Sequence, residues 1–321
     1  VRNLLRSAIL AGLASMTFAV AGSLASEQTL KIVFPFQAGT SSDAVARLVA
    51  EHLQKSLGRP VIVENKVGAG GRIAALTVKN AQPDGSTLLF AGSSQLTLQP
   101  HLYPDLGYDP ADFVPISQVI RSEQVVAIGS HVPVQSVTEL VAWLKANPDK
   151  ATYGSPGAGT FPHFAGMEFA RLSGVDLQHA AYRGTPAAIP DLLSGRIAVL
   201  MSSPAELIEL HRSGSIRILA TTGSARSSVL PDIPTLRESG IDVVVPGWFG
   251  FYAPAGTPVE LVERLQNEII TIVRLPEVHA KILALGFEPA ATTSAELKKI
   301  QLTEFERWAP IVKASGYKPQ R

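Results

Sequence analysis

Apolar residues recur along the chain in two rhythms. At 30–34 they run together; at 42–57 they return every third or fourth position, as Val45, Leu48, Val49, Leu53 and Leu57; at 60–64 they run together again. Short continuous runs predict buried strands and the longer period predicts an amphipathic helix, so this stretch reads as strand, helix, strand. The alternation continues with a helix at 73–79, a turn at Pro83-Asp84-Gly85, and a strand at 87–91 that stops in the loop Gly92-Ser93-Ser94-Gln95. Such a series predicts a parallel sheet with helices on its faces.

Two long apolar passages break the rhythm. Residues 113–129 hold two strand-like runs separated by Arg121-Ser122-Glu123, and residues 243–254 form a second passage interrupted at Pro246-Gly247. Read as the chain leaving one lobe and returning to it, they divide the sequence into lobe 1 (26–122 and 247–321) and lobe 2 (123–246). Between them runs a second cycle: helix 137–146, strand 151–153, helix 164–172 stopped by Gly174, strand 177–181, helices 189–193 and 204–213 around a buried run at 197–201, and strand 216–221. Helices at 259–273 and 296–314 close the chain, the latter capped by Thr293 or Ser294. The expected fold is α/β with two lobes, each a mostly parallel sheet flanked by helices, and a ligand cleft between them.

The strand at 30–34 runs into VFPFQAGTSSD (33–43), and YGSPGAGTFPH (153–163) repeats the plan. An offset of 120 residues places Ala38 on Ala158, Gly39 on Gly159, Thr40 on Thr160 and Asp43 on His163. A glycine loop that opens directly into a helix leaves the first N–H groups of that helix without intrahelical partners. Such an end behaves as about half a positive charge and binds anions with no basic side chain. In α/β sheets it lies at the strand ends where ligands are held. Gly39 and Gly159 allow close backbone approach, while Ser41, Ser42, Ser155 and Thr160 add hydroxyl donors. The expectation is one carboxylate clamped between the two loops. Taken singly, each loop is also an ordinary helix start, with Ser41, Ser42 and Asp43 as N-cap residues; the matched spacing in two lobes favours a site. His163 reads equally as a ligand contact and as a first-turn residue.

The N-terminal stretch has Arg2 and Arg6 ahead of an apolar segment at 8–20, then Ser23 and Ala25 around Leu24. This is the layout of a secretory signal peptide cut after Ala25. The apolar segment is shorter than the roughly 20 residues a spanning helix needs. The chain carries 28 Lys+Arg and 27 Asp+Glu; without residues 1–25 two Arg and no acid are lost, leaving 26 against 27, a net charge of −1. A balance so near neutral offers no electrostatic footprint for nucleic acid or an anionic membrane. With no Cys there is no disulfide, thiolate nucleophile or thiolate metal site.

Catalytic and cofactor motifs fail on inspection. Gly68-Ala69-Gly70-Gly71 has Ile73 where a dinucleotide fingerprint needs glycine, and no Gly-Lys-Ser/Thr follows, so it reads as a tight turn. Ser93 and Ser155 are preceded two places earlier by Ala91 and Tyr153, which excludes a nucleophile elbow. Neither the His spacing nor Asp105, Asp109 and Asp112 forms a zinc or calcium motif. Trp143 and Trp308 read as core, and Trp248 as either hinge packing or cleft wall. No cofactor or metal is expected. A binding protein therefore ranks ahead of an exported α/β enzyme that uses the loops as an oxyanion or phosphate site; a ligand-presenting sensor would share the pocket and differ only in what reads the closed state.

FPFQAGTSSD, LGRPVIVENKVGAGG, PDGSTLLFAGSS, YGSPGAGTFPH, AYRGTPAAIPDLLSGRI, LPDIPTLRESG and WFGFYAPAGTP resemble, in order, the signature blocks of the extracytoplasmic solute receptors of tripartite tricarboxylate transporters, the Bug proteins. The resemblance covers nearly all of residues 29–320. It implies a type II-like, two-lobed periplasmic binding protein, a monomer that captures a small carboxylate (a di- or tricarboxylate, an amino acid or an aromatic acid) and delivers it to the transporter's membrane components. The family's two carboxylate loops carry over to Phe34, Gly39, Thr40, Ser41 and Asp43 and to Ser155, Gly157, Gly159, Thr160 and His163. By the same analogy Gly92-Ser93-Ser94 and Tyr182-Arg183-Gly184 line the rest of the cleft. Ligand selection is expected from Ser93, Ser94, Tyr182, Arg183 and Met201-Ser202-Ser203, with Arg183 facing an anionic second group or Asp191 an ammonium. The family usually has Gly-Gly where Gly39-Thr40 stands, and Val-Pro where Ala180-Ala181 precedes Tyr182.

Overall fold

The structure is a computed structural model and describes residues 29–317. The expected leader and its cleavage point lie outside the described residues. The first lobe begins β1 (Leu30–Phe34), α1 (Ser41–Leu57), β2 (Val61–Asn65), α2 (Arg72–Lys79), β3 (Thr87–Gly92), then two short helices, α3 (Ser93–Thr97) and α4 (Gln99–Leu102), and the long β4 (Phe113–Glu123). The second lobe follows as β5 (Val125–Gly129), α5 (Val137–Ala146), β6 (Thr152–Ser155), α6 (Phe161–Ser173), β7 (Gln178–Ala181), α7 (Thr185–Ser194), β8 (Val199–Ser202), α8 (Ile208–Arg212) and β9 (Ile216–Thr221). The chain returns through β10 (Pro246–Pro254), α9 (Val259–Arg274), α10 (Pro276–Ala284), β11 (Glu288–Pro289) and α11 (Ser294–Ser315).

Two sheets result, with strand orders β11-β4-β10-β3-β1-β2 and β7-β6-β8-β5-β9. The expectation of mostly parallel sheets needs correction, because both are mixed. β1 runs parallel to β2 and β3, and β6 runs parallel to β7 and β8, as crossover helices require. β10 is antiparallel to β3 and β4, and β5 is antiparallel to β8 and β9. The antiparallel half contains the strands beside the crossings: they enter each sheet from the opposite end. Arg121-Ser122-Glu123 does not separate two runs as expected, since it belongs to β4 and Gln124 alone parts β4 from β5.

The parallel half of each sheet carries one of the twin loops. α1 forms where the sequence places an N-cap and an apolar face: Thr40 Oγ1 accepts from the Asp43 N–H, Val45, Val49 and Leu53 are buried, and Gly58 ends the helix in the left-handed region. α11 begins with a reciprocal cap between Thr293 and Glu296, and its Leu297 packs with Trp248 and Tyr252 of the first lobe. Farther along, its fully buried Trp308 stacks on Phe161 of the second lobe at 5.0 Å between ring centroids. The closing helix therefore straps both lobes together. No helix among the described residues is long and apolar enough to cross a membrane.

Candidate functional site

Pro35 stops β1, and the chain turns into α1 through Gly39 at φ +85°, a conformation L side chains rarely adopt. The Gly39 N–H donates to Asp43 Oδ2 (3.0 Å), and Thr40 Oγ1 donates to the Gln37 carbonyl (3.2 Å). The second lobe repeats both bonds at the same offset of 120. Gly159, at φ +71°, donates its N–H to His163 Nδ1 (3.1 Å), and Thr160 Oγ1 donates to the Gly157 carbonyl (2.6 Å). Asp43 and His163 are therefore equivalent side chains that reach back to fix the glycine of their own loop.

Their supports differ. Asp43 also receives Arg47 Nε (2.8 Å), Arg47 Nη2 (3.2 Å) and Asn65 Nδ2 (2.8 Å). Burial pushes the Asp43 carboxyl up, but the bonds from Arg47, Asn65 and the Gly39 amide outweigh it and hold the group below its usual range. His163 has no such charge beside it. It stacks on His179 at 3.9 Å between ring centroids, and His179 Nε2 lies 2.8 Å from Ser155 Oγ. Burial first, then the neighbouring imidazole, push His163 down to about 3; burial alone lowers His179 to about 4.

The two helix starts converge on one cavity. Thr40 and Ser42 line it from the first lobe, and Thr160, Phe161 and Pro162 from the second. Thr40 caps the first helix, whereas Thr160 makes no side-chain cap bond and leaves the first-turn amides of α6 without a side-chain partner. The aromatic wall is Phe36, Phe249 and Trp248, with Phe36 and Phe249 edge to face at 6.2 Å. Hydroxyls supply most of the polar wall: Ser93 and Ser94, the pair Thr185–Ser202 at 2.6 Å, and the pair Ser122–Ser203 at 3.1 Å; Gln124 and Glu206 complete it. Among the described residues no Lys, Arg or His lines this cavity.

Of the residues singled out from sequence, Thr40, Ser42, Gly92, Ser93, Ser94, Thr160, Gly184, Ser202, Ser203 and Trp248 line the cavity. Gly157, Tyr182 and Arg183 line an adjoining outer cavity that shares Phe36, Pro156, Thr160 and Gly184 with the inner one. Phe34 and Met201 are fully buried in the lobe cores, Ser155 is turned toward His179, and Gly39, Ser41, Asp43, Gly159 and His163 shape the loops from behind. Asp191 is engaged by Arg196 and by the Tyr182 hydroxyl (2.7 Å), so it is not free to meet an ammonium. Sequence reasoning missed Glu206, on the short turn after β8, which lines the cavity and accepts a long bond from the Ser41 N–H (3.4 Å). It also missed Asn65 as a support of Asp43; no spacing rule links a strand end to a helix start 22 residues away.

Asp43→Ala is expected to weaken carboxylate binding about tenfold and to lower stability by roughly 1–2 kcal/mol, a value kept small because Arg47 is 48% exposed. Asp43→Asn, which keeps an acceptor for the Gly39 amide, should fall between. Calorimetric titration with urea melts checks this; an Asp43→Ala protein of unaltered affinity would remove the loop-fixing role.

Two α/β lobes that present paired helix starts to one recessed cavity define a solute-binding protein. The profile described as "Tripartite tricarboxylate transporter family receptor" matches residues 45–317. The chain belongs to that family of receptors. It is 32% identical to the protein BugT of Bordetella pertussis over 292 residues, 90% of each chain. Among solved structures it resembles the R. palustris protein Rpa4515 with adipate, at a TM-score of 0.86 and 28% identity over 91% of this chain and 98% of the other. It also resembles MatC from Rhodopseudomonas palustris with bound malate, at a TM-score of 0.82 and 27% identity over 88% of this chain and 98% of the other.

Proposed function

We propose that the protein is a periplasmic receptor, not an enzyme, that takes a small carboxylate into the inner cavity and hands it as a monomer to the membrane components of a tripartite tricarboxylate-type transporter. The observation that carries the reading is the convergence of the α1 and α6 starts on a cavity that no basic side chain lines among the described residues. There, main-chain amides, hydroxyls and the Gln124 carboxamide are the groups able to hold an acid. Thr40, Ser42 and Thr160 would touch the carboxylate, with Ser93, Ser94 and the outer Tyr182 and Arg183 selecting among ligands. The crossings fall at Gln124, between β4 and β5, and just before Pro246, one residue from the boundaries expected at 122/123 and 246/247, and closure about them commits the ligand. Malate and adipate in two neighbours support the ligand class.

The test is mass spectrometry of whatever co-purifies, followed by thermal shift against mono-, di- and tricarboxylates, amino acids and aromatic acids. A true ligand at 100 times its dissociation constant stabilises by about 2.7 kcal/mol. Absence of a shift with every acid, or turnover of one of them, would defeat the reading.

A further inference from the structure

Glu206 is an acid in a cavity built for acids. It sits on the turn Pro204–Glu206, recessed within the second lobe yet open to the cavity, and its Oε1 reaches the Ser41 N–H at the start of α1. Burial pushes its carboxyl above the usual range, opposed by the Ser41 amide and its own amide; no cation contributes. Among the described residues no Lys, Arg or His lines the cavity to balance it. Arg183 lines the outer cavity instead, and Asp191 is taken up by Arg196 and Tyr182.

The charge inventory of the cavity follows from these placements. Two helix starts supply about half a positive charge each, and Glu206 already leans on one of them. A ligand carboxylate placed on the free start of α6, with Thr160 and Ser42, brings the second negative charge. A further ligand carboxylate would face Glu206 with no cation between them, and like charges at close range repel strongly. A cationic nitrogen beside the ligand's carboxylate would instead complete the inventory by pairing with Glu206.

We propose, on the basis of the receptor reading above, that Glu206 is a specificity-determining residue and that the cavity selects a zwitterion, a carboxylate bearing an ammonium on the adjacent carbon, over dicarboxylates. The hydroxyl wall and the aromatic face of Phe36, Phe249 and Trp248 then hold the remainder of the ligand.

Two matched sets of probes test this at pH 7.5 on the whole protein. Norvaline, pentanoate and propylmalonate share one skeleton, as do phenylalanine, 3-phenylpropionate and benzylmalonate; within each set only the group beside the carboxylate changes from ammonium to hydrogen to carboxylate. In the wild type the better-accommodated amino acid should bind at least tenfold more tightly than its malonate. Glu206→Gln, which keeps the shape and removes the charge, should lower amino-acid affinity and raise malonate affinity, each at least tenfold. A wild-type preference for the malonates overturns the proposal whether or not the variant folds; so does a folded variant with the wild-type order. Malate and adipate serve as controls. If either binds and no amino acid does, the Glu206 inference fails alone; if none of the eight acids shifts the melting curve, the receptor reading fails with it.

Discussion

Gly159→Val should abolish ligand-induced stabilisation, raising the dissociation constant at least 100-fold, while the unliganded protein remains folded. Gly159 sits at φ +71°, where a β-branched residue is strained by roughly 1–2 kcal/mol. A Cβ there would also stand 3.0 Å from the Tyr103 hydroxyl, which packs on the loop from the first lobe. The backbone must shift, and with it go the Gly159–His163 bond and the placement of the α6 amides beside Thr160. The strain is a fraction of the roughly 5–15 kcal/mol that holds a domain folded. Gly58→Val is the matched control: Gly58 has φ +65° and nothing within 4 Å of a built Cβ, and it closes α1 at the end away from the cavity. Equal loss of binding in both variants would trace the effect to general destabilisation and remove the loop from the mechanism.

The sequence made the twin loops legible because their geometry is local. Glycine, a hydroxyl one residue on and an acceptor four residues on dictate a turn and a cap within a single helical turn, so an offset of 120 residues carried over to matching hydrogen bonds. What did not transfer were the side-chain roles. Asp43 and His163 align, yet both point back into their loops and neither lines the cavity. Met201 illustrates a second limit. Both faces of β8 are covered, so Met201 and Val199 fill one core, Leu200 fills the other, and Ser202 and Ser203 at the strand end meet the cavity. An unbroken apolar run leading into Ser-Ser does not say which residue is the last inside. Phe34 and Phe36 repeat the point around Pro35, where the buried residue was expected to touch ligand and the one beyond the proline lines the site.

Glu206 was illegible for a different reason. It lies on a three-residue turn with no periodic signature, and its meeting with Ser41 spans 165 positions of sequence and both lobes. Mixed sheet order was hidden likewise, because strand direction depends on where a chain re-enters a sheet and not on its pattern of apolar residues. Together these explain why the anion-binding logic could be read early and the charge that tunes it could not.

Acidification should destabilise the protein through His163 from about pH 6.5 downward. An unfolded imidazole takes up a proton near 6.5, whereas the buried His163 resists until about 3, so the unfolded state binds more protons across that window. The sign follows: the contribution is intact above pH 6.5 and is lost progressively as pH falls toward 3. By pH 4 the single group removes about 3 kcal/mol, at about 1.4 kcal/mol per pH unit. Asp43, held below its usual range, titrates later, and Glu206, held above it, acts in the opposite sense. Protonation would also turn His163 Nδ1 from the acceptor of the Gly159 N–H into a competing donor, so the loop opens as the charge enters. His163→Asn keeps an acceptor without a titrating group. Urea melts from pH 7.5 to 4 should show the wild type losing more stability than the variant, by about 2–3 kcal/mol at the acid end. Parallel curves would mean that His163 is charged or exposed in the folded protein, and that the second loop is held by something other than a neutral imidazole.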